Sequence, residues 1–293
     1  MTLVLRTRSS HTLAEPWDAS FGFKNGITSI ELLGSLSVRT NTPLMLTNFE
    51  TLAWWRNKIR RRFYSPYNKL VHRGSYFICR YFGAEFLVHS ANVGSLEISA
   101  KIAEYPELRN FMRSAAATKP DIFIDICANL GLYTCILMKN RLVPRAILFE
   151  PDRLNLGANL LINGLLDANL EIHPVALGAE PGRFRLVPGP ERDIGLSQIV
   201  ETAPEGQGYE AEVVRFDDFV ALAGQTLAIK IDVERYERKV LAGMARTLRD
   251  NRGIVQIEVL EAREETTALM AAAGFRLAQD FGTNLVFRKD RAA

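Results

Sequence analysis

Asp121-Ile122-Phe123-Ile124-Asp125-Ile126-Cys127-Ala128-Asn129-Leu130-Gly131 is the stretch that decides how this chain is read. An apolar strand ends on Asp125, turns through small residues, and opens into the apolar run Tyr133–Met138. A strand that turns straight into a helix leaves backbone N–H groups aimed at a ligand, with an acid beside them. A little further on, Ala146-Ile147-Leu148-Phe149-Glu150-Pro151 repeats the device, a short buried strand ending on Glu150. In nucleotide-binding parallel sheets, an acid at the end of the second strand accepts hydrogen bonds from ribose hydroxyls. Strands ending in an acid are common singly; the two in order point to a nucleoside-containing cofactor.

Outward from this stretch, strands and helices alternate from the boundary Lys119-Pro120 onward, the pattern of a parallel sheet covered on both faces. Strand 121–126 leads to helix 131–140, and strand 146–149 to helix 152–163, which stops at Gly164. A third strand covers 170–174, followed by a Gly/Pro-rich excursion, 178–208, with a hairpin. Strand 227–231 enters a helix over 235–248 with the apolar stripe Tyr236, Val240, Leu241, Met244 and Leu248. Strand 254–259 and helix 264–273 complete the alternation. The end, 275–280 and 284–288 around Gly282, reads as two strands joined directly, so one must run antiparallel.

Upstream, residues 1–48 read as a loosely ordered leader, rich in Ser, Thr and Gly. Residues 49–118 read as a basic and aromatic segment. It holds a helix through Trp54–Tyr64 ended by Ser65-Pro66, a hairpin of 76–81 and 85–88 split by Gly83-Ala84, and one or two short helices through Met112. Residues 119–293 form the α/β domain.

The bulk numbers are those of an ordinary globular protein, with 293 residues, 47% apolar and 24% charged. No apolar run reaches the length of a membrane span. The opening Met1–Arg6 is too short and too soon interrupted for a signal peptide. Cys79, Cys127 and Cys135 cannot all pair and have no metal-ligand spacing, so the expected setting is reducing and cytoplasmic. The net charge of +3 is local in origin. Arg56, Lys58, Arg60, Arg61, Arg62, Lys69, Arg73 and Arg80 fall in 51–84 without one acid, leaving 28 basic against 33 acidic residues elsewhere. With Trp54, Trp55, Phe63 and Tyr64 flanking it, Arg56–Arg62 reads as a solvated helix face or as a contact for an anionic membrane surface, at the inner face of the membrane. Nucleic acid ranks lower, because no RNA-binding module accompanies the patch.

A second chemical cluster is Lys230-Ile231-Asp232-Val233-Glu234-Arg235-Tyr236-Glu237, with Asp232 ending the fourth strand and Glu234 in the turn after it. Ligands of open parallel sheets sit beyond the carboxyl ends of the central strands, so Asp125, Glu150, Asp232 and Glu234 are expected to face one crevice.

These residues resemble the FkbM-like family of S-adenosylmethionine-dependent methyltransferases. The family's Asp-x-Gly-Ala-Asn-x-Gly is matched by Asp125-Ile126-Cys127-Ala128-Asn129-Leu130-Gly131, its acid-Pro by Glu150-Pro151, and its Val-Ala-Leu-Gly by Val175-Ala176-Leu177-Gly178. Its Lys-x-Asp-x-Glu-Gly-x-Glu is matched at Lys230, Asp232, Glu234 and Glu237, with further echoes at Phe216-Asp217-Asp218-Phe219, Val240-Leu241-Ala242-Gly243 and Ile257-Glu258-Val259. The resemblance covers Asp121 to Phe287. It implies a class I methyltransferase fold, a Rossmann-like sheet of seven mostly parallel strands with an antiparallel C-terminal hairpin. It also implies S-adenosylmethionine as cofactor, held by Asp125, Cys127, Ala128, Asn129, Gly131, Glu150 and Ala176.

Two positions depart from the family. Cys127 and Arg235 stand where it has glycine, which permits positive φ and close backbone approach. If position 127 keeps that backbone, the strain is of the order of 1–2 kcal/mol. Arg235 either projects into the crevice and favours an anionic acceptor, or pairs with Glu234 or Glu237.

Asp232 is the candidate beside the transferred methyl group, with Glu234 second. Either is placed to take the proton of an acceptor hydroxyl, or their cluster holds a divalent cation such as Mg²⁺. His173 is expected to be a buried, satisfied histidine, and Cys127 and Cys135 small buried residues. The expected activity is O-methyl transfer to a sugar, glycolipid or natural-product hydroxyl. The rival readings are a degenerate member that binds cofactor or partner without catalysis, and an RNA methyltransferase.

Overall fold

The computed structural model describes residues 76–89, 105–187, 198–200 and 208–290. The leader 1–48, the helix expected over Trp54–Tyr64 and the basic run Arg56–Arg62 lie outside the described residues.

Seven strands make the central sheet: β3 (Ile122–Ile126), β4 (Ala146–Phe149), β5 (Leu170–His173), β10 (Thr226–Ile231), β11 (Arg252–Glu258), β12 (Arg276–Phe281) and β13 (Asn284–Lys289). Their order is β12-β13-β11-β10-β3-β4-β5. The five strands from β11 to β5 run parallel, and β13 pairs antiparallel with both β11 and β12. This is the sheet that the family resemblance implies. The chain leaves β3 for β4 on one side and returns through β10 on the other. A crevice therefore opens where the carboxyl ends of β3 and β10 diverge.

Buried strands read as unbroken apolar runs because helices cover both faces. Phe123, Leu148, Ala228 and Ile254 share a core with Leu108 and Phe111 of α1 (Pro106–Thr118) and with Ile136 of α2 (Leu132–Lys139). Ile124, Ile147, Ile229 and Val255 point the other way. They pack with Val240 of α5 (Glu237–Gly243), Leu248 of α6 (Ala245–Asp250) and Met270 of α7 (Arg263–Ala272).

The hairpin of β1 (Tyr76–Tyr81) and β2 (Ala84–His89) turns through Phe82 and Gly83, at φ +48° and +76°, so Ala84 begins the second strand. Its inner face, with Phe86 and Val88, joins the core under α1 and α2. Helix α3 (Arg153–Ile162) and its C-terminal Asn163 hold the edge of β2: Glu85 N–H donates to Asn163 Oδ1 and Leu87 N–H to Asn159 Oδ1.

Two expectations fail in instructive ways. The helix over 235–248 is two helices broken at Met244, whose φ is −121°. At Gly243 a Cβ would come within 2.0 Å of the Gly178 carbonyl oxygen, so the backbones touch there. The buried Asp217 carboxylate then accepts N–H bonds from Arg246 (2.6 Å) and Thr247 (3.0 Å), which starts α6 afresh. The excursion after β5 also holds more than a hairpin. Strands β6 (Ala176–Leu177), β7 (Gly182–Val187), β8 (Gln198–Val200) and β9 (Tyr209–Val214) form a second sheet in the order β6-β9-β7-β8. After it, a helical turn, α4 (Phe216–Phe219), leads to β10.

Candidate functional site

The loop leaving β3 alternates into the left-handed region at Cys127 (φ +63°), Asn129 (+49°) and Gly131 (+72°). Glycine is required at the last, where a Cβ would lie 2.7 Å from Leu156. Asparagine tolerates this backbone, whereas cysteine is strained by it. The loop's amides are largely consumed within the chain. Cys127 and Ala128 donate to the Phe149 carbonyl, Gly131 to that of Ala128, and Asn129 to Glu150 Oε2 at 2.7 Å. A ligand here therefore meets carboxylates more than free N–H groups, contrary to the picture drawn from the sequence.

A narrow cavity of about 60 Å³ lies at the crevice. Cys127, Asn129, Glu150, Ala176 and Asp232 line it, Phe149 and Leu177 form an apolar wall, and Leu186 and Ile199 cover it from the second sheet. No described lining residue is basic. Glu150 Oε1 also accepts from Asp152 N–H (2.8 Å), and burial pushes the Glu150 carboxyl up to about 7. Burial raises the Cys127 thiol well above its usual range, and so do the carboxylates of Glu150, Asp232, Asp125 and Glu234, so the sulfur stays protonated.

Asp125 is not part of the lining. It is buried beneath the loop, where its Oδ2 accepts the Thr134 hydroxyl at 2.6 Å, and burial lifts its carboxyl to about 6. Asp232 reaches the cavity and takes an ion pair from the buried Lys230 ammonium at 3.1 Å. Glu234, at φ +48°, lies behind it, and burial and the Asp232 charge push its carboxyl up to about 7. Carboxylate oxygens of Asp232, Glu234 and Glu258 lie within 4.8 Å of one another, and Lys230 pairs with the first of them. Glu237 turns back to accept the Arg235 N–H at 2.8 Å.

Arg235 keeps the glycine-like backbone (φ +76°), but its side chain is half exposed and pairs with Glu261 at 3.2 Å, not with Glu234 or Glu237. His173 differs from expectation as well. It is only partly buried, against Phe149 and Phe219, and its Nε2 has no hydrogen-bond partner, the nearer Glu171 oxygen lying 3.8 Å away. Cys135 is buried, as read.

Sequence reasoning missed Glu258, Leu186 and Ile199 at this edge. Glu258 carried a signal, since it ends its strand as Asp125, Glu150 and Asp232 end or follow theirs. The two apolar residues carried none in an irregular stretch.

A seven-stranded α/β sheet of this order, with an acid-lined cavity at its carboxyl edge, has the architecture of a class I methyltransferase. The chain belongs to the FkbM methyltransferase family, whose Methyltransferase FkbM domain matches residues 125–277. Among solved structures it is similar to the SAM-dependent methyltransferase from Agrobacterium tumefaciens, with 9% identity, 74% of this chain and 70% of that one covered, and a TM-score of 0.42. It is also similar to an O-methyltransferase family protein from Burkholderia thailandensis, with 7% identity, 68% and 61% covered, and a TM-score of 0.41. A third is TYW2 from M. jannaschii, in complex with AdoMet, with 14% identity, 73% and 87% covered, and a TM-score of 0.39. Comparison with curated proteins by sequence gave no match. Among the described residues, no helix is long and apolar enough to cross a membrane.

Proposed function

We propose that the protein is an S-adenosylmethionine-dependent O-methyltransferase acting on a hydroxyl of a sugar, glycolipid or natural-product acceptor. The observation that carries this reading is the convergence of carboxylates on the Cys127 position, Glu150 and Asp232 from the cavity lining and Asp125 and Glu234 from beyond it, with no basic side chain in the described lining. Such a field suits a cofactor with a positively charged sulfur and an ammonium group, and Glu150 retains lone pairs for ribose hydroxyls. The apolar wall of Phe149, Ala176 and Leu177 suits an adenine ring. Binding pockets for small ligands are usually several hundred Å³, so Leu186 and Ile199 have to move aside to admit a nucleoside.

S-adenosylmethionine supplies a methyl carbon whose bond to sulfur breaks, the pair leaving with sulfur, as the acceptor oxygen bonds to that carbon. The chain's first task is to align acceptor and donor, worth up to ~7–11 kcal/mol in well-oriented cases. Its second is to receive the hydroxyl proton, for which Asp232, the lining carboxylate paired with Lys230, is placed, adding roughly 10²–10⁴-fold.

The test is calorimetric titration of the full chain with S-adenosylmethionine and S-adenosylhomocysteine, followed by labelled-methyl transfer to glycan, lipid-linked saccharide and RNA extracts. Saturable binding with label in saccharide supports the reading. Binding without transfer to any extract favours a non-catalytic member, label in RNA alone favours the nucleic-acid reading, and no binding rejects all three.

A further inference from the structure

Lys230 breaks the apolar logic of its strand. Leu227, Ala228, Ile229 and Ile231 around it are buried and hydrophobic, yet Lys230 is only 4% exposed. Cross-strand register places it between Asp125 and Gln256, facing the helices α1 and α2. Its Nζ lies 3.1 Å from Asp232 Oδ2 and 5.5 Å from the centre of the Tyr133 ring. An ammonium removed from water keeps its charge only beside a counter-charge, and an aliphatic side chain would fill the same space at lower cost. The charge therefore calls for a reason outside packing.

That reason lies in what surrounds Asp232. Asp125 and Cys127 face it from β3 and the loop beyond, Tyr133 from α2, Glu234 from the turn, Glu237 from α5, and Glu258 from β11, while Arg235 acts on Glu234 and pairs with Glu261. Many acids compete for one buried cation, and the cation is hydrogen-bonded to Asp232. Burial works against ionisation of them all. It lifts Asp125 to about 6, Glu234 to about 7 and, together with the Asp232 charge, Glu258 to about 8. At Asp232 the same burial is outweighed by the Lys230 charge together with hydrogen bonds to Glu258 and Lys230, and the carboxyl stays below its ordinary value.

We propose that Lys230 is a positioning residue whose buried ammonium, hydrogen-bonded to Asp232, holds that carboxylate ionised and turned to the pocket as the proton acceptor. The proposal rests on the reading of Asp232 as the base. In the transfer, the acceptor oxygen bonds to the methyl carbon, the carbon–sulfur pair goes to sulfur, and the O–H proton passes to Asp232. A weakly basic carboxylate is sufficient, because the hydroxyl becomes strongly acidic as its oxygen takes the methyl group. What matters is that the carboxylate is ionised and correctly turned beforehand, and Lys230 provides both without touching the acceptor.

The experiment is a carbon-13 NMR titration of the full chain, labelled at aspartate carboxyl carbons and saturated with S-adenosylhomocysteine. The Asp232 signal is assigned by its loss in Asp232→Asn. In wild type its midpoint is expected below the ordinary aspartate value of about 3.9, and Lys230→Met is expected to raise it by at least about one unit. The signals of the remote Asp280 and Asp290 stay in place. With an acceptor in hand, the acid limb of kcat moves up with the Asp232 midpoint while KM for the acceptor holds. A wild-type midpoint at or above about 3.9 overturns the proposal even if Lys230→Met does not fold. An unmoved midpoint in folded Lys230→Met overturns it equally. Full turnover in Asp232→Asn would instead remove the base itself, so the two failures are distinguishable.

Discussion

Asn129 donates its backbone N–H to the Glu150 carboxylate across 2.7 Å, so the loop leaving β3 and the acid ending β4 form one unit. A ribose that hydrogen-bonds Glu150 therefore also stabilises the loop. Losing a hydrogen bond to a charged acceptor costs ~1.5–3 kcal/mol. Glu150→Ala should weaken S-adenosylhomocysteine binding at least tenfold in calorimetry. The pH dependence has a definite sign. Burial holds the Glu150 carboxyl at about 7, so the ligand-free fold binds that proton more tightly than the unfolded chain. Its contribution to stability is present in acid and lost as pH rises from 4.5 through about 7. Ribose donors favour the ionised form, so affinity should fall as pH drops below about 7 in wild type and stay flat over that range in the variant.

Cys127 holds a backbone that glycine adopts freely, at φ +63°. Cys127→Gly should stabilise the fold by about 1 kcal/mol, the strain of a left-handed non-glycine residue less the greater flexibility of the unfolded chain. Urea denaturation measures it, with Cys127→Ser as the control that keeps the strain. A loss of stability on Cys127→Gly would mean that the thiol's packing outweighs its backbone cost.

The order of the elements was legible because each central strand announces itself twice, by a buried apolar run and by an acid at its carboxyl end. Asp125, Glu150 and Asp232 could be placed at one edge on those grounds alone. Glu258 fits the same rule, but it stands in an echo of the family and not in one of the motifs that mark a site. Long-range contacts explain the remaining departures. The break at Met244 depends on Gly178 and Asp217, both far away in sequence, while the stripe from Tyr236 to Leu248 satisfies helical spacing throughout. The Leu186 and Ile199 cover belongs to a second sheet assembled across a Gly/Pro-rich stretch with weak periodicity. Arg235 illustrates the limit on side chains: its strained backbone was foreseeable, its partner Glu261 was not.

Asp232→Asn should bind S-adenosylhomocysteine as wild type does and lose roughly 10²–10⁴-fold in turnover. Turnover within twofold of wild type would make Asp232 structural. Because Lys230 already supplies the positive charge at this cluster, a chelator should leave the rate unchanged. A chelator effect reversed by magnesium would show that a metal ion acts at this cluster beside the lysine.

The basic run Arg56–Arg62 with its aromatic flanks is expected to attach the protein to anionic lipid, which would suit a lipid-linked acceptor. Each basic residue near such a surface contributes about 1 kcal/mol. Full-length protein should sediment with anionic vesicles, release with salt, and ignore neutral vesicles. Equal behaviour with both vesicle types rejects the electrostatic account.

Asn159, fully buried on α3, links the hairpin to the loop leaving β3: its Nδ2 donates to the Leu130 carbonyl at 2.9 Å and its Oδ1 accepts the Leu87 N–H at 2.7 Å. Asn163, one turn further, holds both backbone groups of Glu85, much as a partner strand would, and its side-chain partners are Glu85 and Asn159. Removing either side chain leaves backbone groups of β2 short of partners, at about 1–3 kcal/mol for each buried group. Asn159→Ala should therefore lower stability by about 3 kcal/mol and also weaken S-adenosylhomocysteine binding, because the loop at Leu130 loses its tether. Asn163→Ala should destabilise comparably and leave the affinity of the folded fraction unchanged. Urea denaturation paired with calorimetry separates the two effects. Equal affinities in the two folded variants would show that the hairpin anchor has no bearing on the loop leaving β3.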